Sequence, residues 1–546
     1  MEINMALFST KDSRPTRYLA RTTSSYLTVI VSLCLTLATF SVAANPEPVF
    51  QGVPPHAQIL QSVIESAELS AQQDFEVSDH DLDDALKNMD YQTYRAIRFN
   101  ADQSLWRNQK DFEVQFFHPG FLYQQPVTIY TVGSDNKPVR FAFNRNAFNY
   151  DTSAAPLAAV TKENNGYAGF RLHYPIKNTS YKDEFTVFLG ASYFRLVGQS
   201  HVYGISARGL AIDTGMPEGE EFPHFTEFWL IEPKDGDPIT VYARLESPSV
   251  SGAYKFVITP GSESAMQVES WLFARENVKK LGVAPFTSMF LYGENSGKRP
   301  DDYRPEVHDS DGMLLHTQSG EQIWRPLTNP SQLQITSMRD SAPKGFGLMQ
   351  RDIAFDNYLD GEANYHIRPG LWVTPQSGFE AGRLELVEIP TNSETHDNIV
   401  AYWVPDAPFK AGEHRYFSYT LSTVTGLGEG TVDSKSEAHI ARVVRTRQGA
   451  AVLPGEQDNA VATRRFIVDF AVPQGMTFDP AALEAKASVS QGTIRQVRVF
   501  PVDGGKALRA TFLVTPQGNK ATDMRISIHQ NNQRVSEVWN YVYHAK

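Results

Sequence analysis

Two acidic segments of this chain contain the residue types that cleavage of a glycosidic bond requires. Residues 303–312 include Asp309, and residues 387–403 place Glu394 and Asp397 in a polar loop between two apolar stretches. Glycoside hydrolysis uses two carboxyl groups, one protonated as the acid and one ionised as the base. The sequence therefore supplies suitable groups, and we expect Glu394 and Asp397 on an exposed rim, where such a loop can also be an ordinary solvated turn.

Aromatic side chains near these carboxylates are candidates for binding sugar faces. The rings in this part of the chain are Trp324, Tyr365, Trp372 and Trp403. A ring that stacks on a sugar needs an accessible face, whereas a large ring in a globular chain is more often part of the core. The sequence leaves both interpretations open for each ring.

The residues Asp309, Asp311 and Gly312 resemble the start of a calcium-binding loop. The glutamate that completes such a loop is missing at its required spacing. A turn held by aspartate side chains is the favoured interpretation, and the sequence predicts neither a metal nor another cofactor.

Signatures of several other chemistries are absent from the sequence. There is no His-Glu-x-x-His zinc motif, no Gly-x-Ser-x-Gly nucleophile turn and no phosphate-binding lysine loop. Gly426, Gly428 and Gly430 have the wrong spacing and context for a nucleotide-binding loop. We interpret them as part of a flexible linker.

Composition indicates the structural class and excludes one class of partner. The 546 residues include 12% aromatic residues, 36 Gly and 32 Pro, a mixture that favours pleated, turn-rich structure. The formal charge is −12, with 50 Lys and Arg against 62 Asp and Glu, and no basic cluster stands out. We therefore predict a mainly β protein that does not bind nucleic acid.

The N-terminal residues have the pattern of an export signal. Basic residues precede an apolar stretch over 26–40, which ends in small residues up to Ala44. The alternative, an uncleaved membrane anchor, needs roughly 20 apolar residues, and this stretch is shorter. We predict a cleaved Sec-type signal peptide over 1–44, without a twin arginine. Because Cys34 is the only cysteine, the mature chain is expected to contain no disulfide.

The elements that position the carboxylates are predicted to be mostly strands. Apolar residues at helical spacing over 59–67 and 82–89 predict two short helices. Apolar or period-2 runs then predict strands at 113–117, 127–132, 170–174, 185–189, 239–245, 254–258 and 384–389. We expect residues 45–424 to form a large antiparallel β-sandwich with functional loops.

A second, smaller domain is predicted after the glycine-rich segment. Residues 425–437 form the predicted linker, and residues 438–546 the predicted C-terminal domain. Short strands are expected at 466–470, 494–500, 508–514, 524–528 and 535–543. Their spacing is typical of a small immunoglobulin-like sandwich.

Long stretches of the chain closely resemble the glucans biosynthesis protein G/D family of osmoregulated periplasmic glucan synthesis. The resemblance extends over nearly all of the mature chain and rests on residues 189–195, 203–214, 252–256, 281–285, 303–306 and 397–403. It implies a carbohydrate-active, mutarotase-like N-terminal sandwich, an immunoglobulin-like C-terminal domain and a periplasmic location.

The resemblance also implies a substrate and site residues. The family is similar to hydrolases that cut β-1,2-glucan with inversion, with the acid at Asp397 and acidic partners at Glu394 and Asp309. The predicted substrate-binding residues are Tyr303, Arg304, Trp324, Tyr365 and Trp403. The alternative function is a non-hydrolytic glucan-binding protein that receives nascent glucan from a membrane glucosyltransferase and positions it for branching.

Overall fold

The computed structural model of the chain describes residues 56–76, 82–163, 165–296, 301–427, 440–451 and 463–545. The predicted signal peptide and residues 428–437 of the predicted linker lie outside the described residues. Within the described ranges, no helix is both long and apolar enough to cross a membrane.

The α-helices of the described ranges are short and belong to the N-terminal part of the chain. They are α1 (Ala57–Ala71), α2 (Asp84–Lys87), α3 (Tyr91–Arg95) and α4 (Leu157–Val160). The first predicted helix corresponds to α1, whose apolar side packs on Tyr242 and Phe273. The second corresponds to the single turn of α2, because Asp90 then caps a new helix by accepting a hydrogen bond from the Thr93 N–H.

Ten strands of the described ranges form the first large sheet, sheet A, in which all neighbours are antiparallel. They are β2 (Glu113–Phe117), β6 (Gly169–Asn178), β7 (Tyr181–Leu189), β8 (Tyr193–Leu196), β9 (Ser206–Arg208), β10 (Leu210–Ile212), β15 (Leu281–Ser288), β20 (Gln334–Asp340), β23 (Gly382–Glu388) and β24 (Ile399–Pro405). Strand β15 lies between β9 and β24, and β24 pairs with β23.

Fifteen strands of the described ranges form the second large sheet, sheet B. They are β3 (Thr128–Val132), β4 (Pro138–Arg140), β11 (His224–Ile231), β12 (Ile239–Glu246), β13 (Val250–Thr259), β14 (Ala265–Ala274), β18 (Gly312–His316), β19 (Gln322–Pro326), β21 (Gly345–Met349), β22 (Gly370–Ser377), β25 (His414–Val424), β28 (Leu483–Val489), β31 (Thr522–Gln530), β32 (Gln533–Arg534) and β33 (Val538–Tyr543). The sheet is mixed, because β3 runs parallel to β11 and β19 runs parallel to β33.

The remaining strands of the described ranges form one small sheet and two ribbons. The small C-terminal sheet, sheet C, contains β26 (Arg442–Ala450), β27 (Arg464–Ala471), β29 (Thr493–Val502) and β30 (Ala507–Thr515). The ribbons pair β1 (Ile97–Phe99) with β5 (Phe148–Tyr150), and β16 (Phe290–Tyr292) with β17 (Val307–His308). The predicted mainly β class is confirmed.

Sheets A and B share one hydrophobic core. Along β8, Phe194 and Leu196 are buried, whereas Tyr193 and Arg195 are only partly buried, as expected for alternating faces of a strand. Phe194 packs edge-on against Phe256 of sheet B at a ring-centroid distance of 5.3 Å. Full burial of each such ring contributes about 1.5–3 kcal/mol. The other face of sheet A is therefore available for polar residues.

The C-terminal strands outside sheet C do not form a sheet of their own. Strands β28, β31 and β33 extend sheet B through the parallel pairing of Trp324 in β19 with Trp539 in β33. A second hydrophobic cluster joins Trp324 and Trp372 to Phe466 and Trp539 of the C-terminal region. This continuity was not predicted from the strand pattern.

Candidate functional site

The three candidate carboxylates lie in connections near the edge where β15, β16, β17 and β24 meet. Asp309 directly follows β17, and Glu394 and Asp397 lie in the connection between β23 and β24. These segments are separated in sequence by more than eighty residues. Tertiary contacts must therefore bring them together.

Asn398 provides the clearest of these contacts. Its buried side-chain amide donates to the Phe290 carbonyl at 3.1 Å and the Ile389 carbonyl at 2.9 Å, and its oxygen accepts from the Phe290 N–H at 2.8 Å. Phe290 pairs with His308, the residue before Asp309. The loop that carries Asp397 is thus fixed to the ribbon that carries Asp309.

The Asp397 carboxyl is suited to hold a proton near neutral pH. Although part of the residue is exposed, its carboxyl lies deep among protein atoms, and this burial raises its pKa to about 7. The negative charge of Asp309 raises the pKa as well, whereas Arg195 and Arg368 oppose the shift. Among the described residues, no hydrogen-bond donor to this carboxyl is found. At neutral pH the Asp397 carboxyl is therefore partly protonated, and no described protein group donates a hydrogen bond to it.

Asp309 has the opposite environment. Its buried carboxylate forms a close ion pair with Arg368. The Arg368 guanidinium also donates to the Ala363 carbonyl at 2.8 Å and lies over the Tyr365 ring, 4.3 Å from its centroid. Asp309 is consequently held in position by a fixed cation.

Glu394 is also held by surrounding donors. Its Oε2 accepts hydrogen bonds from Arg304 Nη1 at 2.7 Å and from the Tyr365 hydroxyl at 2.8 Å. Burial raises the pKa of Tyr365 well above its usual value, so the hydroxyl keeps its proton and donates it. Arg304 and Tyr365, which were predicted to bind substrate, thus donate hydrogen bonds to Glu394.

Arg304 is the centre of a larger cluster of charges. It pairs with Asp302 at 2.8 Å and Asp360 at 3.0 Å, in addition to Glu394. The hydrogen bond from Arg304 holds the pKa of Asp302 at about 2, well below its usual range. Three carboxylates around one guanidinium fix its position firmly.

The predicted sugar-binding rings occupy very different environments. Tyr303 is 75% exposed, next to Arg304. Trp403 is 0% exposed and Trp324 4% exposed, and Trp372 is equally buried. Stacking on a sugar requires an accessible ring face, which the buried rings of Trp324 and Trp403 do not offer. Both pack in hydrophobic clusters, as does the Tyr365 ring beneath Arg368.

Sequence reasoning missed Arg195, Arg368 and Asn398. Arg195 donates from Nε to the Ser206 hydroxyl at 2.7 Å and lowers the pKa of Asp397. Its alternation with Phe194 and Leu196 places it on the polar face of β8, which a period-2 count could have found. No comparable local signal marks Arg368, whose partner is 59 residues away.

The side chains of Asp309 and Asp311 contact distant segments of the chain rather than closing the local turn that was expected. Asp311 accepts hydrogen bonds from the Arg351 N–H at 3.0 Å and the Asp352 N–H at 3.1 Å. Arg368 already contacts the Asp309 carboxylate. In the described part of the chain, no group of three or more acidic, histidine or cysteine side chains is arranged to hold a metal ion.

Comparison with known proteins identifies relatives over most of the chain. The family model described as "Periplasmic glucan biosynthesis protein, MdoG" matches residues 59–543. "Glucans biosynthesis protein G" of Rhodopseudomonas palustris strain BisA53 is 41% identical over 86% of this chain and 90% of its own length. The protein of that name from Ralstonia nicotianae is 42% identical over 84% and 90%. "Probable glucans biosynthesis protein D" of Shewanella oneidensis is 40% identical over 84% of each chain.

Among solved structures, a chondroitinase AC lyase is similar over 56% of this chain and 38% of its own. The identity is 10% and the TM-score 0.19. A likeness of this extent carries no argument about fold or chemistry.

Proposed function

Because the chain belongs to the MdoG family of periplasmic glucan biosynthesis proteins, we propose that it acts in the periplasm as an inverting hydrolase of linear β-1,2-glucan. The observation that carries this proposal is the Asp397 carboxyl, whose pKa is raised to about 7 by burial. The other two carboxylates of the candidate site, Glu394 and Asp309, are paired with Arg304 and Arg368. Glycosidic cleavage with inversion needs a protonated acid and a second carboxyl group in the same site.

In the proposed reaction, Asp397 donates its proton to the glycosidic oxygen as the bond from that oxygen to the anomeric carbon breaks. Water attacks the anomeric carbon from the opposite face and loses a proton to a base. Asp309 and Glu394 are the candidates for that base, directly or through a chain of water and substrate hydroxyls. Arg368, Arg304 and Tyr365 hold these carboxylates in position.

Two features support binding of a glucan chain at this site. Tyr303 presents an exposed ring beside the Arg304 cluster, and such a ring can stack on a sugar face. Arg195 projects from the polar face of sheet A near Asp397 and can donate hydrogen bonds to sugar hydroxyls. We propose both as substrate-binding residues.

The proposed function is tested by incubating the purified protein with linear β-1,2-glucan. We expect new reducing ends to accumulate, with the inverted anomer formed first and visible by proton NMR. Binding of the glucan without new reducing ends would instead support the non-hydrolytic function, in which the protein receives glucan from a membrane glucosyltransferase. Formation of the retained anomer first would contradict the inverting mechanism.

Substitutions at Glu394 and Tyr365 distinguish the effect of losing the carboxylate from the effect of losing the hydroxyl that orients it. Glu394→Gln is expected to lower kcat about 10²-fold or more if Glu394 accepts the proton of water. Tyr365→Phe removes a single hydrogen bond, worth about 1 kcal/mol, and is expected to lower kcat about fivefold. Both rates are measured as release of reducing ends at saturating glucan.

Glu380→Gln is the matched control for Glu394→Gln. Glu380 is exposed and precedes β23, whereas Glu394 follows the other end of that strand. Its substitution is expected to leave kcat unchanged. Equal effects of the two Glu→Gln changes would contradict a role for Glu394 in the reaction.

The finer features of the domain organisation also remain proposals. We propose that residues 45–424 form a mutarotase-like sandwich built on sheet A and the strands of sheet B up to β25. We propose that residues 438–546 form an immunoglobulin-like unit from sheet C and strands β28, β31, β32 and β33. We propose further that residues 1–44 are a cleaved Sec-type signal and that residues 425–437 connect the two units. The continuity of β33 with sheet B fits a C-terminal unit fixed rigidly to the N-terminal one.

A further inference from the structure

His308 is a fully buried histidine directly before Asp309, and both of its ring nitrogens have partners. Nδ1 lies 3.0 Å from Oε1 of Gln350, and Nε2 lies 2.9 Å from Oε2 of Glu306. The ring stacks on Phe290, with centroids 5.3 Å apart, and meets Tyr358 edge-on. The ring is therefore fixed on all sides.

The orientation of the Gln350 side chain decides one of the two ring protons. Its Nε2 lies 3.0 Å from the His308 carbonyl oxygen and 3.2 Å from the Tyr365 carbonyl oxygen. Carbonyl oxygens only accept, so the NH₂ group of the amide must face them. The amide oxygen then faces Nδ1, which must donate.

Glu306 decides the second proton. A carboxylate only accepts hydrogen bonds, so Nε2 must donate to it. A ring that donates from both nitrogens carries two protons and a positive charge. With Glu306 ionised, His308 is an imidazolium paired with it inside the protein.

We propose that this imidazolium is a positioning residue of the hydrolase proposed above, which orients Asp309 and Glu394 through Gln350. Gln350 ties the backbone of His308, next to Asp309, to the backbone of Tyr365. Tyr365 in turn donates to Glu394, and Arg368, three residues later, pairs with Asp309. The His308 imidazolium is therefore connected, through Gln350, to the segments that hold both Asp309 and Glu394.

The charges around the ring favour its protonated form. Burial by itself lowers the pKa of His308, but the hydrogen bond and charge of Glu306, with the charges of Asp311 and Asp352, raise it above the usual value overall. Glu294 lines the same recess, and burial raises its pKa to about 8, so it is largely neutral at pH 7. Two arginines line that recess: Arg351 is paired with Glu537, and Arg445 lies 3.5 Å from Glu294.

The protonation state of His308 is tested directly on the unmodified protein. With ¹⁵N-labelled histidine, we expect one ring to keep imidazolium nitrogen shifts at pH 7.5, and His308→Gln to remove that signal. A His308 ring that titrates at or below pH 6.5 would overturn the proposal. This measurement needs no substrate, so a failure of the proposed hydrolysis would leave its result standing.

The positioning role is tested by the kinetics of His308→Gln. Because the reacting groups would be misplaced while the substrate contacts remain, we expect kcat to fall about 10- to 100-fold and KM to change less than threefold. His316→Gln is the matched control, since His316 is also buried but lies at the far end of β18. Unchanged kcat in His308→Gln, or an equal loss in both variants, would overturn the positioning role.

Discussion

Asp397→Asn is expected to lower kcat/KM for linear β-1,2-glucan by about 10²–10⁴-fold while glucan binding persists. The substitution keeps the size of the side chain and removes the proton that the leaving oxygen requires. Because no donor to the Asp397 carboxyl is found among the described residues, the substitution removes no hydrogen bond from the protein to that carboxyl. Release of reducing ends and glucan binding by calorimetry measure the two effects separately.

The pH dependence of the unmodified protein should identify the same group. The acid acts in its protonated form, and burial raises the pKa of Asp397 to about 7. We therefore expect kcat/KM to decrease as pH rises through about 7. A rate that increases over this range would contradict the assignment of Asp397 as the acid.

Stability provides an internal control for the Asp397→Asn variant. The folded-state pKa of Asp397 is above the unfolded value, so its contribution to stability is complete below the unfolded pKa and is lost as pH rises through about 7. Asparagine has no such loss. The variant is therefore expected to melt at a higher temperature than the unmodified protein at pH 8 and at a similar temperature at pH 4.

Two outcomes would exclude Asp397 as the acid or the protein as a hydrolase. A variant that cleaves glucan at the original rate would exclude Asp397. An unmodified protein that binds β-1,2-glucan but never cleaves it would favour the non-hydrolytic function. A variant that melts at a lower temperature at both pH values would show that the change disturbs the fold.

Glu537→Gln is expected to destabilise the protein by about 3–5 kcal/mol, because it leaves a buried cation without its counter-ion. Arg351 and Glu537 form two parallel bonds of 2.8 Å, with side chains only 2% and 1% exposed. The Arg351 guanidinium also lies 3.7 Å from the centroid of the Trp324 ring. The pair joins the segment that follows β21 to the residue just before β33.

Urea denaturation of the unmodified and variant proteins measures this effect. Glu321→Gln is the matched control, because Glu321 pairs with Arg525 at 2.8 Å on a surface where the two side chains are 30% and 44% exposed. Its loss is expected to change stability by less than about 1 kcal/mol. Similar midpoints for the two variants would contradict the importance of the buried pair.

Replacing both partners of the buried pair provides a second comparison. Arg351→Met combined with Glu537→Leu removes both charges, so no unpaired ion remains in the interior. The double variant is expected to regain much of the stability that Glu537→Gln loses. A double variant as unstable as the single one would attribute the loss to packing rather than to charge.

Most strands could be predicted from the sequence because their signals are local. The apolar run over 113–117 coincides with β2, and the run over 239–245 lies within β12. Each run is bounded by turn residues, and its alternation is a property of neighbouring positions. The second predicted helix is longer than α2, which ends at Lys87. The reason is equally local, because Asp90 caps the start of a new helix, α3.

The environment of the candidate rings could not be predicted in this way. Trp324 and Trp403 have the residue type that a sugar site needs, but both are buried. Trp324 is covered by strands from the C-terminal region, more than a hundred residues away. Burial of a ring depends on which distant segments pack over it, and those segments cannot be predicted from the residues next to the ring.

The sequence by itself determined the mainly β class and the membership of a glucan biosynthesis family, and it supplied the candidate carboxylates. Tertiary structure alone decided the environment of each of these carboxylates. Asp309 and Glu394 meet cations from Arg368 and Arg304, whereas Asp397 is buried without such a pair. The environment of a carboxylate depends on solvent access and on nearby charges, and the chain brings those charges together from distant segments, as with Arg304 and Glu394, which are 90 residues apart.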